Sequence, residues 1–178
     1  MNSHTVFNFE LTELQNPTDI YIKRLSDLKD YYEDVPKELS AENPILYMVE
    51  KFDKNNSKGH LIVSTTTIYS GVVGNEYYFT SGHYHAEKFS EIYFCLSGTG
   101  LGLLKNKDEE EVVNFSEGTI LHIDYEWAHR IINVGKTPLK FMSVYTFDGG
   151  FNYGRIIEEG GFKTKILKDN DGFSVERR

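Results

Sequence analysis

The sequence predicts an all-β domain, a sandwich or barrel of short antiparallel strands. Three observations predict it. From Pro44 onward the chain breaks into short segments rich in β-branched and aromatic residues, the types that fit a pleated, half-buried surface. Runs of Gly, Asn, Asp and Pro separate those segments at regular spacing, which is the pattern of strands and turns. Aromatic residues are abundant, with 12 Tyr and 12 Phe among 178 residues, enough to pack a core and still line a partly dry cavity.

Taken in order, residues 1–20 alternate weakly ("FNFELTEL") and end in a turn at "NPTD". Residues 20–34, "IYIKRLSDLKDYYED", set Ile20, Ile22, Leu25, Leu28, Tyr31 and Tyr32 at spacings that suit an amphipathic helix. Thr18 or Asp19 would cap it and Pro36 would help stop it. The strands then follow as "ILYMVEKF", "HLIVSTTTIYS", "NEYYFT", "EIYFCLSG", "GLGLLKN", "EEVVNF", "TILHI", "AHRIINV" and "LKFMSVYTF". The turns between them include "DKNNSKG", "GVVGN", "KNKDEE", "SEG" and "NVGKTP". The closing residues 148–178 ("DGGFNYG", "EEGGF", "KDNDG") read as loops with one or two small strands. The expected division is an N-terminal extension over 1–43, with one helix packing on the barrel, and a β domain with C-terminal loops over 44–178. There is no internal repeat. "SGTGLG" lacks the lysine and the following helix of a phosphate-cradling loop.

A net charge of −8 and a pI near 5.2 exclude the broad basic surface that nucleic-acid binding needs, and disfavour docking on an anionic membrane. Cys95 is the single cysteine, so no intrachain disulfide and no Cys-rich zinc module can form. The first residues lack the charged and apolar regions of a signal peptide, and no apolar run approaches the roughly 20 residues of a membrane span. A cytoplasmic protein is expected.

Chemistry concentrates in "SGHYHAEKFSEIYFCLSGTG" (81–100). Side chains alternate along a strand, so His83 and His85 point the same way. Glu91, Tyr93 and Cys95 share one face of the next segment, and a hairpin turn at "AEKFS" would return Glu91 to the two imidazoles. Far along the chain, "YEWAHRIINVG" puts His129 on another strand with Trp127 and Ile131 on its face. Three imidazoles and a carboxylate suit Fe(II), Mn, Ni or Zn, with open positions on a six-coordinate ion. A closed structural zinc site would use thiolates instead. His60 and His122 read as ordinary half-buried polar residues. Trp127 reads as a core anchor, Arg130 as an outer-face or salt-bridge residue, and Cys95 as a buried, inert thiol.

The strings "TSGHYH", "EIY", "EGTI", "WAHRIINVG", "VYTF" and "NYG" together resemble the two motifs of the cupin superfamily. Within it they resemble one branch closely, the cupin-type glucose-6-phosphate isomerases of archaea and some bacteria, from about Tyr47 to Tyr153. The resemblance implies a double-stranded β-helix, a jelly-roll-like barrel, with a short N-terminal helix and extension, assembled as a homodimer. It implies one divalent transition metal per subunit, held by His83, His85, Glu91 and His129. It implies that Thr66, Thr80 and Gly82 hold the sugar phosphate, and that Tyr47, Tyr93, Tyr145 and Tyr153 line the substrate pocket. The chain departs from the family at Phe79, where a Lys is frequent, at Phe151, where a His is common, and at "HIDYEW", which replaces a Pro-rich stretch. The two Phe changes bear on how the phosphate is neutralised and on which phosphosugar fits.

The implied reaction interconverts glucose 6-phosphate and fructose 6-phosphate, by proton transfer through a metal-stabilised cis-enediol(ate). Glu91 is the candidate base and also a ligand, and Tyr93 is the candidate proton shuttle. A metal-directed hydride shift is a rival route. Two other classes stand beside this one: a cupin Fe(II) dioxygenase, and a non-catalytic sugar-phosphate binding module. A mannose or pentose phosphate is the neighbouring choice of substrate.

Overall fold

The computed structural model describes residues 4–55 and 57–177. The chain opens with a small hairpin, β1 (Val6–Asn8) and β2 (Glu13–Gln15), followed by β3 (Asp19–Arg24). A helical turn α1 (Leu25–Leu28), a 3-10 turn (Lys29–Tyr31) and the short helix α2 (Lys37–Glu42) lead into the barrel. Its strands are β4 (Ile45–Phe52), β5 (Leu61–Ile68), β6 (Val72–Val73), β7 (Glu76–Tyr77), β8 (Tyr84–His85), β9 (Glu91–Ser97) and β10 (Thr99–Lys105). They continue as β11 (Glu110–Ser116), β12 (Ile120–Ile123), β13 (Ala128–Asn133) and β14 (Leu139–Thr146). The chain closes with β15 (Phe151–Asn152), α3 (Tyr153–Glu158), β16 (Thr164–Asp169) and β17 (Gly172–Arg177).

One sheet has six strands in the order β12-β9-β14-β5-β4-β3, all antiparallel. The other is built on β11-β10-β13, and the bridges Phe79↔Ile132 and His83↔His129 add the segment before β8 to its edge. Phe115 of β11 meets Phe141 of β14 edge-on, with ring centroids 5.5 Å apart, so the two sheets pack face to face. Between them Leu101, Leu103, Ile131, Leu139 and Cys95 are buried. This is the expected double-stranded β-helix. The expected strand segments from Ile45 to Thr146 all form. Cys95 is fully buried, and burial pushes its thiol up to about 11, as an inert thiol requires. No helix among the described residues is long and apolar enough to cross a membrane.

The N-terminal helix is shorter than its apolar spacing suggests. Residues 19–24 form β3 instead, at the outer edge of the six-stranded sheet, paired with β4 from Asp19↔Lys51 to Lys23↔Tyr47. Thr18 is not a helix cap: its N–H donates to the Lys51 carbonyl (2.7 Å) and its hydroxyl accepts from Asp53 N–H (3.1 Å), which starts the strand pairing. "DIYI" carries strand propensity, and the open edge of β4 supplies a ladder, so tertiary pairing outweighs the local helical spacing. Helix begins only at Leu25. There the Asp27 carboxylate accepts from Arg24 N–H at 2.8 Å, and Leu25 and Leu28 turn into the core.

The C-terminal residues also hold more than loops. Asn152 caps α3 by accepting from Arg155 N–H at 3.0 Å. Gly160 and Gly161 end it, both at positive φ, with Gly161 N–H bonded to Ile156 O (2.8 Å) and Gly160 N–H to Ile157 O (3.0 Å). The β16–β17 hairpin then extends a side sheet through β7 and β6.

Candidate functional site

His83, His85, Glu91 and His129 converge inside one end of the barrel, with ligating atoms all within 4.8 Å of one another. The path differs from the hairpin expected. β8 does not pair with β9. It pairs with β15 through Phe151↔His85, while His83 and His129 exchange backbone hydrogen bonds (3.3 and 3.1 Å) at the edge of β13. The connection 86–90 is fastened by Gly149 O, which accepts from Ala86 and Glu87 N–H (2.9 and 3.0 Å). It delivers Glu91 as the first residue of β9.

Glu91 Oε1 is the meeting point. It lies 2.5 Å from His129 Nε2, 3.2 Å from His85 Nε2 and 3.9 Å from His83 Nε2. The other nitrogens are held by carbonyls: His85 Nδ1 by Phe89 O, and His129 Nδ1 by Trp127 O at 3.4 Å. A carbonyl can only accept, so each Nδ1 carries a proton and each Nε2 faces the cluster, the arrangement a metal ligand needs. His83 Nε2 is buried and has no hydrogen-bond partner among the described residues. A buried nitrogen aimed into a carboxylate and two more imidazoles, with nothing of the protein to bond, fits a cation. The cluster can hold a divalent metal ion.

Electrostatics follow the packing. Burial, then the neighbouring His129, holds His83 well below the usual histidine range. Burial also disfavours the charged form of His85, but its bond to Glu91 outweighs that and raises it. For Glu91 burial acts upward, yet His129, His85 and His83 together pull its carboxyl well below the usual range, so it is ionised at neutral pH. Tyr93 O–H sits 3.1 Å from His129 Nε2, and burial with the Glu91 charge keeps it a neutral phenol.

The cluster opens into a cavity of about 520 Å³, a volume suited to a small ligand. Tyr47, Thr66, Thr80, Gly82, Tyr145 and Tyr153, named from sequence, all line it, as do Glu91, Tyr93, His83 and His129. His85 stands behind the wall. Thr66 turns inward, while Thr65 turns away and donates to Glu50 at 2.9 Å. Thr80 Oγ1 accepts from Ile131 N–H (3.1 Å) and keeps its own proton to donate. Tyr47 Oη and Ser81 Oγ meet at 3.2 Å.

Phe151 lines the cavity and packs its ring edge against His83, with centroids 4.6 Å apart. Phe79 is elsewhere: it is buried on the other side of the sheet, stacked on Tyr32 at 4.3 Å, and cannot bear on a ligand in this cavity. Arg130 is not an outer-face or salt-bridge residue. It is buried at 7% exposure between Phe79 and Phe162, 4.1 and 4.7 Å from their centroids, and Nη2 donates to Ser81 O at 2.9 Å. Burial lowers it only to about 10, so it remains a cation. Trp127 packs partly buried against the core. The cavity also takes Tyr21, Lys23 and Lys51, which the helical reading of residues 20–34 concealed. The signal was the alternation of Tyr21 and Lys23 with Ile20 and Ile22.

A model of the family "Glucose-6-phosphate isomerase (GPI)" matches residues 22–178. The glucose-6-phosphate isomerase of Thermococcus kodakarensis is 38% identical over 154 residues, 84% of this chain and 82% of that one. That of Pyrococcus horikoshii is 36% identical over 159 residues, covering 86% and 84%. A bacterial relative of the same name, from Sinorhizobium medicae, is 34% identical over 161 residues, covering 87% and 75%. Among solved structures, an oxalate oxidase superposes with a TM-score of 0.51 at 14% identity over 62% of this chain and 56% of that one, a likeness of fold alone. A cupin barrel with this cluster, matched along most of its length, leads to one conclusion: the chain belongs to the family of cupin-type glucose-6-phosphate isomerases.

Proposed function

We propose that the protein interconverts glucose 6-phosphate and fructose 6-phosphate, with a divalent transition metal (Fe, Mn, Ni or Zn) held by His83, His85, Glu91 and His129. The observation that carries it is the cluster's position on the wall of a cavity whose other walls offer neutral hydroxyls and a glycine. When bound, the ion supplies positive charge that stabilises negative charge building on the sugar oxygens. Glu91, ionised by its imidazole neighbours, takes the proton from C2 of the aldose as the C1–C2 double bond forms. The same carboxyl returns a proton to C1 as C2 becomes the carbonyl. Tyr93, neutral and beside Glu91, donates to the C1 oxygen and recovers a proton from the C2 hydroxyl. Thr66, Thr80 and Gly82 N–H are the donors assigned to the phosphate, and Tyr47, Tyr145 and Tyr153 shape the pocket. A cytoplasmic setting accords with one reduced, buried cysteine.

The test strips the protein with chelator, reloads it with each metal, and follows fructose 6-phosphate becoming glucose 6-phosphate. Turnover returns with metal, and in D₂O solvent deuterium enters the product. Product free of deuterium would replace proton transfer by a hydride shift. A folded, metal-loaded protein without turnover would remove the isomerase reading and turn attention to oxygen uptake.

The homodimer is part of the same proposal. β3 is the outer strand of its sheet, with Ile20 and Ile22 half-exposed at 56% and 48%. An open apolar edge of this kind invites a second chain. Light scattering should give twice the 20.5 kDa chain mass, and a monomer at micromolar concentration rejects the dimer.

A further inference from the structure

The geometry points to Lys23 as the cation that receives the phosphate of the substrate, at the end of the cavity away from the histidine cluster. This rests on the sugar-phosphate reading above. A phosphate monoester is close to a dianion at neutral pH, and Thr66, Thr80 and Gly82 can donate to it without offering any charge. The lysines on the cavity wall are Lys23 and Lys51. Lys51 is committed to Asp53 at 3.0 Å. Among the described residues, no carboxylate pairs with Lys23.

Its place in the sheet sets it beside the other donors. Lys23 lies opposite Tyr47, in the row that continues to Ile68 and Leu139. Ile92, next to Glu91, pairs with Val144 toward the other end of β14, so Lys23 and the metal cluster occupy different ends. Tyr47 Oη reaches Ser81 Oγ at 3.2 Å, which brings the row of Lys23 to the Thr80–Ser81–Gly82 turn. A register shift after Lys23 marks a β-bulge opposite, where Leu46 and Tyr47 are buried in succession. From there the exposed lysine stem can reach over the cavity mouth without a desolvation cost.

The experiment uses metal-loaded protein and sorbitol 6-phosphate, which cannot react, in a calorimetric titration beside the kinetics of fructose 6-phosphate. Lys23→Ala weakens sorbitol 6-phosphate and raises KM by about tenfold or more, the scale of a lost charge-assisted hydrogen bond, while kcat changes little. Lys23→Glu is worse than Lys23→Ala, and Lys23→Arg recovers most of the affinity. Lys107→Ala, in the exposed turn between β10 and β11, controls for net charge. A Lys23→Ala protein that binds sorbitol 6-phosphate as tightly as wild type overturns the assignment and leaves the isomerase standing. Wild type that binds the ligand without turning over its substrate removes the isomerase and still tests Lys23. Wild type that binds none removes both.

Discussion

Glu91→Gln lowers turnover of fructose 6-phosphate by about 10³-fold or more, within the range lost with a general base and its charge. Three imidazoles direct Nε2 at one oxygen of this carboxylate, and its side chain is 2% exposed. Glutamine keeps the size and removes the charge. An amide cannot take a proton from carbon, and its neutral oxygen is a weaker partner for a cation than a carboxylate. Metal content measured on the same sample separates the two roles. Full metal with no turnover assigns Glu91 as base, whereas lost metal assigns it first as ligand. Turnover within tenfold of wild type would defeat both roles.

Gly82→Ala lowers the unfolding free energy by about 2–4 kcal/mol and weakens metal retention with it. Gly82 has φ +76°, where an alanine costs about 1–2 kcal/mol by itself. The added methyl would also lie 2.8 Å from Phe162 Cε2, 3.0 Å from His129 O and 3.3 Å from Arg130 Cβ. The ring can shift, but His129 O is backbone and accepts from His83 N–H at 3.3 Å. Relief therefore means moving the Thr80–His83 segment off β13, and His83 moves with it. Gly118→Ala is the matched control, with φ +85° and nothing within 4 Å of the added methyl. Urea unfolding of the two variants isolates the contact from the backbone strain. Equal destabilisation would show that the close approach at Gly82 carries no weight.

Much of the site was legible because it depends on local period and on side-chain chemistry. Alternation alone put His83 and His85 on one side, and Glu91, Tyr93 and Cys95 on one buried face of β9. Three imidazoles with a carboxylate already marked a cluster that can hold a divalent metal ion. The cavity-lining tyrosines and threonines came from the resemblance, and the structure brings them to one cavity.

What was not legible depends on which strand lies beside which. "IYIKRLSDLKDYY" fits a helix by spacing, and only the vacant edge of β4 makes its first residues a strand that turns Tyr21 and Lys23 into the cavity. Arg130 looked like a surface charge because a strand position opposite His129 is outward by period. Phe79 and Phe162, distant in sequence, close over it. By itself the sequence determined the strands from Ile45 to Thr146, the donor types of the histidine–glutamate cluster and the face that Glu91 takes. The tertiary structure decided that Glu91 reaches the histidines through a loop tied to Gly149, and that Lys23 lines the cavity. Both depend on pairings between segments far apart in the chain, and periodicity within a segment carries no information about its neighbour.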